Sequence, residues 1–370
     1  MNLSYWEIKN WLTNVDFTIV GSGIVGLNCA LQLKNKFPKS KILILEKGIL
    51  PQGASTKNAG FACYGSLGEI LDDLKTHTED DVVKLVKKRV EGLNVLFKTV
   101  GTKNINYQNH GSFELFLEDD SELFEYCLSK MKHVNTMLQS VFNAKTFTLK
   151  PNIFNFKKTK DQYIFNAFEG QIDTGNMMEA LLEKAQSKGI KIINNCSVQS
   201  YLDDANSVKI KTNHFEFTTS NMLIATNGFA SQLLKEPVKP ARAQILITKP
   251  IKNLHIKGTF HLDRGYYYFR NIEDRILFGG GRNLDFKGEE TIHLEETTLI
   301  QNKLEALLRN SILPNTPFEV DHRWSGIMGV GSQKKPVVKQ ISNHVFCGVR
   351  LAGLGVAIGS LVGKELADLV

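Results

Sequence analysis

Residues 16–28 read DFTIVGSGIVGLN. The apolar run Phe17–Val20 breaks into three glycines, Gly21, Gly23 and Gly26, and then into the apolar-periodic stretch GLNCALQLKNKF at 26–37. That pattern predicts a buried strand, a tight turn and a helix with Leu27, Ala30, Leu31 and Leu33 on its inner side. Pro38 ends the helix, and KILILE at 41–46 predicts the next strand. In this position Gly21 permits the turn, Gly23 lets a diphosphate approach the backbone, and Gly26 lets helix and strand pack closely. The free N–H groups of the helix start, at Ile24 and Val25, would face the anion. Glu46 closes the second strand 20 residues after Gly26 (46 − 26), the separation at which an acidic side chain meets ribose hydroxyls. An acid there disfavours a 2′-phosphate, so NADP does not fit. FAD and NAD both remain open on these residues alone.

Composition limits the alternatives. The chain has 370 residues, 42% hydrophobic and 22% charged, with a net charge of +7, enough for a large core and two domains. The charge is not concentrated. Its local maxima, KLVKKR at 84–89 and KKTK at 157–160, read as a solvated helix face and a surface loop, so nucleic acid is not an expected partner. Five cysteines are scattered without metal-ligand spacing, which predicts a reduced, metal-free cytoplasmic protein. Glu7 and Lys9 interrupt the apolar start that a signal peptide would need, and Ser4 with Glu7 has capping-box spacing, predicting a short leader helix. No stretch is long and apolar enough to predict a membrane span.

The segment after Glu46 separates the two dinucleotides. In KGILPQGASTKNAGFACYGS, 47–66, small and polar residues stand where a simple NAD domain would continue into a crossover helix. GASTKNAG, 53–60, resembles a segment of the D-amino-acid-oxidase-like FAD-dependent oxidoreductases, the family of glycine oxidase, sarcosine oxidase and the γ-glutamylputrescine oxidoreductases. Three further stretches are similar to that family in the same order: MLIATNGFA at 222–230, HRWSGIMGVG at 322–331, and VFCGVRLAGLGVAIGSLVGKELADLV at 345–370. The resemblance implies non-covalent FAD. Around it would lie Lys47, Ser55, Thr56, Asn58, Ala59, Gly60 and Phe61. Val198, Asn227, Gly228, Gly326 and Ile327 would join them, as would the closing turn Gly353, Leu354, Gly355 and Val356. A helix N-terminus after Gly353 suits the negative charge of a reduced isoalloxazine. Asn58 offers donor and acceptor to a polar ring edge. For Asn227 and Gly228 a plain strand-ending turn is the alternative.

The expected fold is α/β: a Rossmann-type FAD domain of the glutathione-reductase type, with a second α+β domain built on a mixed, largely antiparallel sheet. The FAD domain would be discontinuous, residues 1–100, 171–235 and 336–370, with 101–170 and 236–335 forming the substrate domain. In the first domain, segments at 197–204, 207–213 and 214–219 predict an antiparallel meander. In the second, long helices are expected over 118–142 and about 289–310.

The candidate substrate strand is GYYYFRN, 265–271. Alternation puts Tyr266, Tyr268 and Arg270 on one face, a combination suited to a carboxylated amine. The competing reading makes the aromatics packing groups and the arginine an ion-pair partner; Arg242, Arg282 and His322 are the other candidates. The resemblance implies oxidation of a primary or secondary amine or amino acid by hydride transfer to flavin N5, followed by imine hydrolysis. The electrons would pass to O2 or another acceptor. No cysteine lies between Arg282 and Lys335 to form a flavin thioether, and RILFGGGRN at 275–283 lacks the lysine sarcosine oxidases use with oxygen, so a dehydrogenase stays open. A hydroxy-acid or polyol-phosphate dehydrogenase, or a non-catalytic flavoprotein, are the alternatives.

Overall fold

The computed structural model describes residues 2–370. Its centre is the predicted strand–turn–helix–strand: Val15–Val20, Ile24–Lys36 and Ile42–Leu45. The two strands are parallel, and Val15–Val20 is flanked on its other side by Glu216–Ile224, which pairs in parallel with Val345–Val349. Lys191–Ile193 completes the parallel row beyond Ile42–Leu45. These strands read as unbroken apolar runs because helices cover the sheet, and every residue of Ile42–Leu45 is buried. The predicted meander is present as Val198–Asp203, Val208–Thr212 and Glu216–Ile224, paired antiparallel.

A second eight-stranded sheet takes its strands from 112–166 and 239–330. Its pairings are antiparallel except where Thr259–Leu262 lies parallel to Ser112–Glu114. The α/β class with a mixed second sheet is therefore as expected. Phenylalanines fill the core behind this sheet. Phe260 and Phe269, opposite each other across two strands, stack with centroids 4.4 Å apart.

Three local expectations change. The helix expected over 118–142 is two helices, Ser121–Met137 and Gln139–Phe142. That expected from about 289 is helical only from Thr298; Thr298–Leu307 continues as a wider turn, Leu308–Ile312. The nine preceding residues instead wrap Glu289 into the core, where it meets Arg242. The leader helix has its Ser4–Glu7 capping box but regular turns only over Tyr5–Glu7, before a wide turn over Ile8–Leu12. No helix among the described residues is long and apolar enough to cross a membrane.

Candidate flavin and substrate site

A cavity of about 430 Å³ runs between the first parallel strands and the second sheet, within the range of cofactor and ligand sites. Gly21 and Gly23 line one end, with Gly26 packed behind them. Gly21 takes φ +102°, and a Cβ on Gly26 would stand 1.9 Å from the Gly21 carbonyl oxygen, so helix and turn touch there. Helical bonding starts only with the Leu27 N–H to Gly23 O, 3.0 Å. The Ile24 N–H donates instead to Ser55 Oγ at 2.9 Å, so the serine hydroxyl occupies the anion position at this helix start.

Glu46 lies beside this turn, buried. Oε2 accepts from the Ser22 N–H and hydroxyl at 3.0 and 2.8 Å; Oε1 accepts from the N–H groups of Gly48 and Gln52 at 3.0 and 3.3 Å. Four donors fill the lone pairs of a carboxylate. A ribose hydroxyl binding here would share or displace the Ser22 hydroxyl or the long Gln52 bond. Ser22 was not singled out by sequence, because its role appears only when Glu46 folds back over the turn. Lys47 projects over the Phe229 ring, 3.2 Å from its centroid, and burial lowers its pKa.

The middle of the cavity is lined by Ala59, Gly60, Phe61, Val198, Gly326 and Ile327. Asn58 also borders it, but its amide is spent inside the loop: Nδ2 donates to Ala54 O and Ser55 O, while Oδ1 accepts from the Gly60 N–H and the Thr174 hydroxyl. Its expected role at a ring edge is thus corrected to holding the loop. Thr56, which donates to Pro51 O, and Gly228, packed under Ile327 and Met328, stand behind the wall rather than on it. Asn227 does line the cavity. Its Oδ1 accepts the Arg350 and Leu351 N–H groups, both at 3.1 Å, which pins the closing turn. In that turn Arg350 and Ala352 take left-handed φ of 66° and 48°, strain of the kind that concentrates at binding sites. The helix Gly355–Ala367 then begins at the cavity, and apart from its own chain neighbours and helical turn no atom lies within 4 Å of where a Gly355 Cβ would stand.

The donor chemistry fits a flavin dinucleotide: a glycine cradle with a helix start at one end, open backbone and a second helix start at the other. FAD would be held by the Gly21–Val25 turn, Glu46, the Ala59–Phe61 loop and the Gly353–Val356 turn. Cys63 and Cys196 also line the cavity, unforeseen. Burial pushes the Cys63 thiol well above the ordinary value, with Glu169 and Glu69 adding to the effect, and burial raises Cys196 as well. A protonated thiol is a poor nucleophile.

The substrate candidates separate. Tyr266 and Tyr268 both line the cavity, although Tyr266 sits just before the strand Tyr267–Ile272 rather than in it. Arg270 does not line it. It is 5% exposed and points behind the cavity wall, donating from Nε to Ala59 O and from Nη2 to Ile172 O at 2.9 Å. Burial lowers its pKa to about 10, against the pull of Asp173. His322 is exposed and stacks on Trp324, 5.8 Å between centroids; it too leaves the candidate list. Arg242 is committed to a bidentate pair with Glu289, 2.9 and 2.7 Å, and to Glu295 at 2.8 Å. Arg282 remains. It borders the cavity with its guanidinium 4.8 Å from the Phe286 ring, and among the described residues no carboxylate lies within salt-bridge distance of it. Burial depresses its pKa, opposed by Tyr266 and Glu289.

Of the other cations on the cavity, Lys47 lies over Phe229 and Lys57 has no acidic partner among the described residues, while two are already paired: Arg264 with Asp263 at 3.2 Å, and Lys334 with Asp73 and Glu69 at 2.7 and 3.3 Å. Sequence reasoning missed both, and His261 with them. For Arg264 the D-R-G turn between two strands was a usable signal; for Lys334 and His261 none existed.

The chain matches the family described as FAD dependent oxidoreductase, designated DAO, over residues 16–369. A probable oxidoreductase OrdL of Haemophilus influenzae is 22% identical over 97% of this chain and 83% of its own length. L-2-hydroxyglutarate dehydrogenase of Escherichia coli is 22% identical over 80% of this chain and 73% of its own length. Among solved structures, iminodiacetate oxidase from Chelativorans sp. BNC1 shares the fold with a TM-score of 0.76 at 16% identity, covering 95% of this chain and 94% of that one.

Proposed function

This chain belongs to the FAD dependent oxidoreductase family, and from that premise we propose that it oxidises an amine or amino acid carrying a carboxylate. The observation that carries this reading is Arg282, a half-buried guanidinium with no acidic partner among the described residues, on the cavity that Tyr266 and Tyr268 also line. A planar guanidinium with nearby phenols suits a carboxylate, which it can take bidentately. When bound, FAD supplies the two-electron acceptor for the C–H bond next to nitrogen, and water hydrolyses the imine that leaves. The protein's part is to hold the carboxylate at Arg282, to present that C–H bond, and to exclude competing water. The division into an FAD domain of 1–100, 171–235 and 336–370 and a substrate domain of 101–170 and 236–335 belongs to this reading, supported by the two separate sheets.

The hydroxyglutarate relative favours a second reading, a hydroxy-acid dehydrogenase, in which the same arginine would hold the same carboxylate. An anaerobic flavin-bleaching screen separates them. Amino acids, N-methyl amino acids and carboxylated polyamine conjugates should bleach the flavin, and 2-hydroxy acids should not. Bleaching by hydroxy acids alone would replace the first reading with the second.

A further inference from the structure

His261 and Glu169 face each other below the wall shared by Phe61 and Tyr268. The His261 Nε2 stands 3.8 Å from Glu169 Oε2, and neither atom has a hydrogen-bond partner. Both side chains are buried, His261 at 5% exposure and Glu169 at 0%. Leaving two such atoms unpaired costs stability, so an unpaired couple whose histidine lines a cavity calls for a function. Glu169 is fixed in place, since its other oxygen accepts the Tyr64 and Gly65 N–H groups at 2.6 and 2.8 Å. His261 is itself part of the cavity lining. Its ring packs edge-on against Phe61, 5.2 Å between centroids, and Phe61 packs likewise on Tyr268 at 5.6 Å. Tyr268 is the cross-strand partner of His261, so the two side chains share a face toward the site.

We propose that His261 is the group that takes the proton from a substrate ammonium, with Glu169 as its positioning residue. The proposal rests on the amine reading above. An ammonium nitrogen has no lone pair to stabilise the adjacent carbon as its hydrogen leaves, so the bound amine must first become neutral. Glu169 opposite Nε2 selects the tautomer protonated there, which leaves the Nδ1 lone pair for the cavity. The substrate N–H bond breaks, a bond from Nδ1 to that proton forms, and Glu169 stabilises the imidazolium as Nε2–H closes on Oε2.

The ionisable groups around the ring are Glu69 on the helix Leu67–Asp73, Arg89 on the helix Glu79–Val100, and Glu169 before Gly170. On the neighbouring strands Tyr268 and Glu114 stand in register with it. Burial lowers the imidazole pKa from its ordinary value, with Glu169 and Glu69 pulling it back. The ring is therefore neutral, and competent as a base, at neutral pH.

The test is anaerobic stopped-flow reduction of the holoenzyme by an amine from the bleaching screen, across pH, for the wild type, His261→Gln and Glu169→Gln. The wild-type ratio of reduction rate to substrate Kd should rise with pH through one acidic limb. His261→Gln should abolish that limb and lose about 100-fold or more at pH 7, the usual worth of a general base. Glu169→Gln removes the anion that favours imidazolium, so it should move the limb to lower pH by about one unit or more. If His261→Gln fails to retain flavin, the Glu169→Gln midpoint decides. Histidine 15N NMR gives an independent readout with 2-aminoisobutyrate, which has no α-hydrogen to lose. The His261 ring should be neutral in the holoenzyme at pH 7 and protonated when this ligand is bound. An unmoved limb in both variants, or a ring that stays neutral with ligand bound, overturns the proposal while leaving the amine reading intact. Flavin reduction by hydroxy acids and by no amine overturns both.

Discussion

The guanidinium of Arg270 lies directly behind Gly60: a Cβ built on that glycine would stand 2.8 Å from Nη2 and 2.3 Å from the Ile172 carbonyl oxygen that Nη2 binds. The strand Tyr267–Ile272 and the Ala59–Phe61 loop are thus locked together by an arginine serving backbone carbonyls, with Gly60 at φ +72° admitting the contact. Arg270→Lys keeps a charge but cannot serve Ala59 O and Ile172 O together. One buried carbonyl left unpaired costs about 1–3 kcal/mol, so thermal unfolding should shift down by the equivalent of about 1–3 kcal/mol and FAD should release more readily. In FAD-saturated protein, the Kd of a carboxylate ligand should stay within about twofold. A selective loss of carboxylate binding would restore Arg270 to the substrate site.

Arg282→Lys should do the converse. The stacked, planar fork is lost while the charge remains. Binding of a carboxylated amine should weaken by about 2 kcal/mol or more, the parent amine without the carboxylate should be nearly indifferent, and FAD content should be unchanged. Stopped-flow reduction across substrate concentration for both compounds measures this. An equal response to the two compounds would remove Arg282 from carboxylate recognition.

Glu46→Gln replaces an acceptor of four hydrogen bonds by a group with only one acceptor oxygen. The amide nitrogen must then face either Ser22 or the N–H groups of Gly48 and Gln52. Charge-assisted bonds of this kind are worth roughly 1.5–3 kcal/mol, so FAD affinity should fall about tenfold or more by titration of the apoprotein, and the apoprotein itself should melt earlier. Loss of FAD affinity without loss of apoprotein stability would mean that the carboxylate serves the ribose and not the turn.

Acid precipitation of the holoprotein should leave a colourless pellet and a yellow supernatant containing FAD by mass spectrometry. Both cysteines on the cavity, Cys63 and Cys196, are held as thiols by burial. A yellow pellet would show a covalent flavin, and Cys63→Ser and Cys196→Ser would then identify or exclude each sulfur.

Glu114 supplies a pH test. Burial pushes its carboxyl up to about 7, against hydrogen bonds from the Gly68 N–H and the Ser66 hydroxyl. A carboxyl whose folded pKa is raised contributes stability that is fully present below the unfolded value near 4.5 and is lost as pH rises through about 7. Glu114→Gln should therefore flatten the decline in melting temperature between pH 5 and 8 and gain relative to the wild type at pH 8. The limit is about 3 kcal/mol, from 1.36 kcal/mol per pK unit. An unchanged slope would mean that another group titrates there.

The glycine-turn end of the cavity was legible in the sequence because its geometry is local. Gly21, Gly23 and Gly26 are close in the chain, and turn geometry and helix packing require glycine there whatever surrounds them. The Gly353–Val356 turn is readable for the same reason, since one segment supplies both the turn and the helix start. What the strand at 265–271 meets was not legible, because alternation along a strand says which residues share a face and not what that face meets. Tyr266, Tyr268 and Arg270 were assigned one face by period alone. In the fold Tyr266 precedes the strand, and the longer reach of Arg270 carries it behind the loop to Ala59 and Ile172. Whether an arginine is free or spent depends on carboxylates distant in the chain: Glu289 and Glu295 take Arg242, while none among the described residues reaches Arg282. His261 and Glu169, 92 residues apart (261 − 169), face each other only because the strand Thr259–Leu262 and the turn after the strand Gln162–Asn166 are brought together. Local backbone geometry follows from short stretches of sequence; the pairing of charges in a buried site follows from which distant segments the tertiary packing brings within a few ångströms.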